Sequence, residues 1–173
     1  MINETIVKQA QNGNKQAFQS LYQEIYEDMY RMAYYLLQSK EDAEDAVSEA
    51  VFDMYRSITG LKKTDAFKAW AMKILSVKCK QKMKEYVQRR DEELVQDDYA
   101  DALNLEQQVV QRTDIMRAMN VLEKEEKIIV VCSAIAGMSS DEVGSVTGLK
   151  SATVRTKLKR ALAKMKGRLE AGV

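Results

Sequence analysis

GMSSDEVGSVTGLKSATVRTKLKRALAKMK, residues 137–166, reads as a helix, a tight turn and a second, strongly basic helix. Ser139 and Glu142 have capping-box spacing, in which hydroxyl and carboxylate each take up one unpaired N–H at the start of a helix. Gly148 falls where that helix must stop, a position suited to left-handed backbone. Only Leu149 and Lys150 then precede Ser151, the expected N-cap of the next helix. Val154, Leu158, Ala161, Leu162, Met165 and Leu169 recur at helical spacing and predict its buried stripe. Val143 and Val146 face inward from the shorter helix, and Gly144 fits a close crossing that a side chain would obstruct. Two helices so joined form a helix-turn-helix.

The longer helix carries eight bases and no acid between residues 150 and 168. A solvated face normally mixes both signs, because like charges three or four residues apart repel. Lys150, Ser151, Ala152, Thr153, Arg155, Thr156, Lys159 and Arg160 lie off the apolar stripe. Small hydroxyl residues at a helix N-terminus followed by cations suit phosphate and base edges, so this face is the first candidate for duplex DNA.

The rest of the 173 residues agrees with an all-α fold: proline is absent and glycine numbers seven, too few turn formers for a β-rich chain. Histidine is also absent, which removes histidine-based triads and most zinc and haem ligation. Two cysteines, Cys79 and Cys132, make neither a disulfide scaffold nor a four-ligand metal site. No apolar run reaches the ~20 residues of a membrane span, and residues 1–12 lack signal-peptide character. The expectation is a soluble cytoplasmic protein with no membrane insertion, no metal and no cofactor.

A net charge of +1 conceals blocks of opposite sign. Residues 1–61 are net −5, 62–90 net +8, 91–106 net −7, 107–149 net −2 and 150–173 net +7. Two separated basic blocks point to two polyanion-binding surfaces. The acidic stretch between them (DEELVQDDYADALNLE) reads as a solvated linker. Two small helical domains, 1–90 and 107–173, follow from this division.

Three helices are expected before the linker. In the first, Leu21, Ile25, Met29, Ala33 and Leu37 form a stripe beside Phe18, Tyr22, Tyr26, Tyr30 and Tyr34, and core packing outranks base stacking as the tyrosines' role. The second, over 41–58, buries Ala43, Ala46, Val47, Ala50, Val51, Met54, Tyr55 and Ile58. The third, over 65–89, buries Phe67, Trp70, Ala71, Ile74, Leu75, Cys79 and Met83. After the linker, Ile115, Met119 and Leu122 outline one helix, and Ile128, Ile129, Val131, Cys132 and Ile135 the next.

Lys73, Lys80 and Lys84 fall within about 40° of one another on the third helix, beside Val77, and Lys62 and Lys63 extend their charge. This face is the second nucleic-acid candidate. Glu41, Asp45, Glu49 and Asp53, spaced by four, draw one acidic line along the second helix, with only Lys40 and Arg56 near its ends for relief. Such a line fits a cationic partner surface, a plain solvated face, or a Mg²⁺ site completed by Glu24, Glu27 and Asp28.

Together these segments resemble a bacterial RNA polymerase sigma factor of the small, two-domain extracytoplasmic-function class. KEDAEDAVSEAVFDMYRSI (40–58) is similar to the family's polymerase-binding helix, FKAWAMKILSVKCKQKMK (67–84) to its promoter-melting helix, and residues 137–166 to its helix-turn-helix. The resemblance implies a non-enzymatic subunit that binds core RNA polymerase and promoter DNA, and that an anti-sigma protein often holds. It implies polymerase contacts from Glu41, Asp42, Asp45, Glu49 and Asp53. It implies minus-ten contacts from Lys62, Lys63, Lys73, Val77, Lys80, Gln81 and Lys84, and minus-thirty-five reading by the last helix. The family commonly has Asn and Asp at the positions of Val77 and Gln81. Two other readings remain open: a stand-alone helix-turn-helix regulator, and a Mg²⁺-dependent nucleotide hydrolase using Glu41, Glu44, Asp45 and Glu49.

Overall fold

The computed structural model describes residues 2–92 and 108–172, with side chains from 2–86 and 114–172. Among the described residues eight α-helices follow one another: α1 (Glu4–Gln11), α2 (Lys15–Leu37), α3 (Lys40–Ser57), α4 (Phe67–Glu92), α5 (Gln108–Met119), α6 (Lys124–Val130), α7 (Ser140–Thr147) and α8 (Ser151–Ala171). Two 3-10 turns join α3 to α4, and a π-helical turn (Val131–Ile135) continues α6. No strand occurs among the described residues, as expected of an all-α chain. The acidic linker over 91–106 lies outside them apart from its first two positions, which close α4.

The N-terminal bundle is built on the expected stripe of α2. Leu21, Ile25, Met29, Ala33 and Leu37 are all buried. Ala43, Ala46, Val47, Ala50 and Met54 bring α3 against it, small side chains allowing close approach, and Phe67, Ala71, Leu75 and Cys79 do the same for α4. Complete burial of a side chain such as Phe67 contributes about 1.5–3 kcal/mol. Met72 and Ser76 are buried as well, so α4 hides a broader arc than its apolar periodicity predicts. The tyrosines flank the core rather than fill it. Tyr22, Tyr26, Tyr30 and Tyr34 contact one another in sequence, ring centroids 5.5–6.3 Å apart, and Tyr26 is exposed.

Helix α1 has no counterpart in the sequence reading. It is short and polar, but Val7 and Ala10 are buried, and the side chain of Gln11 donates to the carbonyls of Ile58 (3.1 Å) and Leu61 (2.7 Å). Those bonds hold the turn that carries Lys62 and Lys63.

In the C-terminal bundle the helix-turn-helix forms as read. Ser139 and Glu142 make the reciprocal capping bonds at the start of α7. Gly148 adopts φ +78° and donates to the carbonyl of Gly144 at 2.8 Å. Gly144 proves to be crowded by the turn itself: a Cβ there would stand 2.6 Å from the Leu149 carbonyl oxygen. Several expectations need correction. Lys150, not Ser151, is the N-cap of α8, and Ser151 is its first helical residue. Leu162 and Leu169 are 44% and 40% exposed, because at ~100° per residue they lie at the edge of the stripe that buries Val154 and Ala161, and Ile115 on α5 is also exposed.

One buried cluster runs from Val7 through the N-terminal helices to Met119, Ile129, Cys132, Val143 and Val154. A smaller one joins Leu122, Val130 and Ala161. The two bundles therefore share apolar core, and Gln38, a left-handed C-cap at φ 55°, donates across to Asn120 at 3.0 Å.

Replacing Gly144 by Ala forces its new methyl into a backbone carbonyl that cannot swing aside. The expected loss is about 1–3 kcal/mol, read as a lower urea midpoint at unchanged slope.

Candidate nucleic-acid interface

The cations of α8 separate by direction. Lys157 and Lys164 point back to α6, where they pair with Glu125 and, at 2.6 Å, with Glu126. Lys166 pairs along the helix with Glu170 at 3.7 Å. Lys150, Arg155, Lys159 and Arg160 point outward with no carboxylate partner among the described residues, and Ala152, Thr153 and Thr156 are exposed beside them. Ser151 is half-buried. The packing of α8 thus turns two of its charges inward and presents Lys150, Arg155, Lys159 and Arg160 on a face begun by small residues, the arrangement that lets a helix enter a groove.

Those inward pairs also pin the helix-turn-helix to α6. The ammonium of Lys164, then the N–H of Glu123 at 3.0 Å, hold the Glu126 carboxyl below its ordinary range. The Glu125 partner correspondingly raises Lys157.

The second basic face lies on α4. Lys73, Gln81 and Lys84 are exposed, as are Lys62 and Lys63 in the preceding turn, and Val77 is 47% exposed. Lys80, between them, is half-buried and donates to the Val146 carbonyl of α7 at 2.8 Å. Val77, Lys80, Gln81 and Lys84 form one wall of a cleft of about 460 Å³ whose other wall is Lys124, Glu125, Ile128 and Thr147.

The acidic line of α3 is present, with Glu41, Asp45 and Glu49 exposed and Asp42 and Asp53 half-buried. Its relief comes from a source the sequence reading missed. Lys78 of α4 contacts Asp53 at 2.7 Å and Glu49 at 3.8 Å, and Lys82 contacts Glu49 at 3.7 Å and Asp45 at 3.8 Å. Ion pairs this open contribute at most about 1 kcal/mol each. They soften the line without neutralising it.

An unforeseen residue shares that face. Phe52 is 60% exposed, with the guanidinium of Arg56 lying 5.5 Å from its ring centroid. At ~100° per residue it falls in line with Glu41, Asp45 and Glu49. The signal was available: among 41–58 it is the one large apolar side chain outside the predicted stripe. Tyr55, expected on that stripe, is 46% exposed and packs edge-on against Phe18 at 5.1 Å.

The carboxylates do not assemble a hydrolase centre. Among the described residues no three His, Cys, Asp or Glu side chains are placed to hold a metal ion, and Asp28 is bound by Lys68 at 2.6 Å. No described helix is long and apolar enough to cross a membrane. Cys79 and Cys132 are fully buried, and burial pushes both thiols up to about 12, which makes them packing residues at neutral pH.

Comparison with known proteins finds the same two-region organisation elsewhere. The family model described as Sigma-70 region 2 matches residues 21–93, and Sigma-70, region 4 matches 112–165. The chain is 24% identical over 164 residues to the ECF RNA polymerase sigma factor SigM of Mycobacterium tuberculosis, covering 93% of this chain and 83% of that one. It is 26% identical over 146 residues to the RNA polymerase sigma factor SigV of Bacillus subtilis, covering 79% and 81%. Among solved structures, CnrH in complex with the cytosolic domain of CnrY superposes with a TM-score of 0.78 at 21% identity, covering 98% of both chains. RpoE in complex with the anti-sigma factor NepR, from Bartonella quintana, gives 0.68 at 19% identity, covering 87% of this chain and 97% of that one.

The depressed Glu126 carboxyl makes part of the stability pH-dependent. Its contribution is complete above the unfolded glutamate pKa of about 4.3 and is lost as pH falls through the folded value. Glu126→Gln keeps an acceptor for the Glu123 N–H but not the charge. The wild-type chain should therefore be the more stable by up to about 1 kcal/mol at pH 7, the difference shrinking as pH falls through the folded carboxyl's titration in urea unfolding.

Proposed function

We propose how charged faces divide the work in a chain that belongs to the sigma-70 family of RNA polymerase sigma factors, in its extracytoplasmic-function class. Such a chain binds core polymerase and directs promoter recognition and the initiation of transcription. In this reading it performs no catalysis of its own and works with polymerase in the cytoplasm. Its effect is to supply specificity through binding.

The helix-turn-helix of the 107–173 unit reads the minus-thirty-five element as duplex. Lys150, Ser151, Ala152 and Thr153 approach the backbone at the start of α8, while Arg155, Thr156, Lys159 and Arg160 reach base edges or flanking phosphates. Within the 1–90 unit, Lys73, Val77, Lys80, Gln81 and Lys84, extended by Lys62 and Lys63, take the minus-ten strand as it opens. Bases freed from the duplex cost a few kcal/mol per step to unstack, and contacts to the captured strand offset that loss. The 91–106 linker, net −7, spans the two without adhering to DNA.

The ridge of Glu41, Asp42, Asp45, Glu49 and Asp53 docks on core polymerase, with Phe52 as an apolar anchor beside the carboxylates. An exposed aromatic amid charges is the composition of an interface hot spot, whereas the charges set orientation and encounter rate. An anti-sigma protein is the proposed regulator, because chains of this fold are solved with CnrY and NepR bound.

The observation that carries this reading is the outward, unpaired cationic face of α8 on a helix-turn-helix, in a chain whose acidic ridge lies on a different helix. Copurification with core polymerase followed by run-off transcription from a promoter library tests it. Asp45→Lys combined with Glu49→Lys should abolish polymerase association at unchanged helical content, and Phe52→Ala should weaken it at least tenfold while moving stability by less than about 0.5 kcal/mol. Lys159→Ala with Arg160→Ala should weaken promoter duplex binding and lower its salt slope by about 1 per lost phosphate contact.

A further inference from the structure

We propose that Gln11, at the end of α1, is a positioning residue for promoter reading: it fixes the backbone of the turn over 61–63 and thereby the chain's selectivity at the minus-ten element. The selectivity role rests on the assignment of that turn to the minus-ten strand; the anchoring itself rests on geometry.

Helix α1 grips the turn at both ends. The side-chain amide nitrogen of Gln11 has two hydrogens, and it donates to the Ile58 carbonyl at 3.1 Å and to the Leu61 carbonyl at 2.7 Å. Both partners are acceptors, so the amide can meet them only with its nitrogen. Beyond the turn, the Thr64 hydroxyl donates to the Glu4 carboxylate, in the first turn of the same helix, at 2.5 Å. The frame behind these bonds is fixed: Val7 and Ala10 are buried in the shared core, and Asn3 caps α1 by accepting from the Thr5 N–H at 2.9 Å.

What the anchors leave outside is a set of donors. Lys62 and Lys63 are exposed, and neither their N–H groups nor their ammonium groups have a partner among the described residues. The Leu61–Lys62 peptide is trans, so its C=O and N–H point in opposite directions. Holding the Leu61 carbonyl toward α1 therefore turns the Lys62 N–H away from it. Two cations and a free amide suit phosphate oxygens or the acceptor edge of an unpaired base. The Leu61 carbonyl has no other hydrogen-bond partner among the described residues, and the space around Gly60 is open. Burial of the Ile58 and Leu61 side chains holds the ends of the turn in place, and Gln11 sets which way its peptides face.

Run-off transcription by core polymerase with the full chain, from promoters differing by single bases in one element, gives a preference ratio for each element. Gln11→Met keeps side-chain length and helix propensity but removes both donors. It should lower the minus-ten ratio by about 5- to 20-fold and leave the minus-thirty-five ratio unchanged. Gln11→Lys again offers hydrogens to both carbonyls and should restore most of the ratio, since its added charge acts on all promoters alike and cancels. Thr64→Val cuts the tie to Glu4 outside α1 and should lower the minus-ten ratio by about 2- to 3-fold, a readout that stands even if Gln11→Met loses helicity by circular dichroism. A minus-ten ratio that ignores the folded variants, a fall of both ratios together, or no restoration by Gln11→Lys overturns the positioning role. Lys62→Ala combined with Lys63→Ala tests the strand assignment separately and should weaken binding of a single-stranded minus-ten oligonucleotide by the polymerase complex. Indifference to that pair takes the turn off the promoter, and the selectivity role falls with it.

Discussion

Burial of Phe67, Ala71, Leu75 and Cys79 along one side of α4 fixes the direction of every described lysine on that helix. A helix offers one periodicity, so choosing the buried face chooses all the others. Lys68 is turned to Asp28 on α2, Lys78 and Lys82 to the acidic ridge of α3, and Lys80 to the backbone of α7. Lys73 and Lys84 remain directed outward. The segment of net charge +8 is thus divided among the core's neighbours, the acidic ridge of α3 and an outward basic face.

The same logic governs α8. Val154 and Ala161 set its buried side, which turns Lys157 and Lys164 onto α6 and leaves Arg155, Lys159 and Arg160 to a partner. Residual repulsion along such a helix is small in energy, a few tenths of a kcal/mol per pair. It is tolerable in the free chain and relieved on a polyanion.

Much of this was legible in the residues. The helix-turn-helix followed from Ser139, Glu142 and Gly148, whose capping chemistry is local, and the core stripe of α2 followed from uninterrupted periodicity. What escaped depended on neighbours distant in sequence. The ion pairs of Lys78 and Lys82 with α3 require knowing which helices touch, and the Lys80 bond to Val146 spans 66 residues. Helix α1 was missed because it is only eight residues long, too short for Ile6, Val7 and Ala10 to stand out as a stripe, and Gln11 anchors it by side-chain hydrogen bonds. Leu162 and Leu169 obey helical spacing but lie at the edge of the apolar stripe, outside the arc of Val154 and Ala161 that is covered. Periodicity states which face is apolar, and only packing decides how wide an arc of that face is buried.

The central claim is that one chain holds polymerase by an acidic helix while two basic helices hold separate promoter elements. Chemical footprinting of a promoter complex made from this chain and core polymerase tests it most directly. The account predicts two protected stretches separated along the duplex, with permanganate-reactive unpaired thymines only in the one nearer the start site, and neither feature with core polymerase alone. A single protected stretch with no unpaired bases, or the same pattern without this chain, would contradict it.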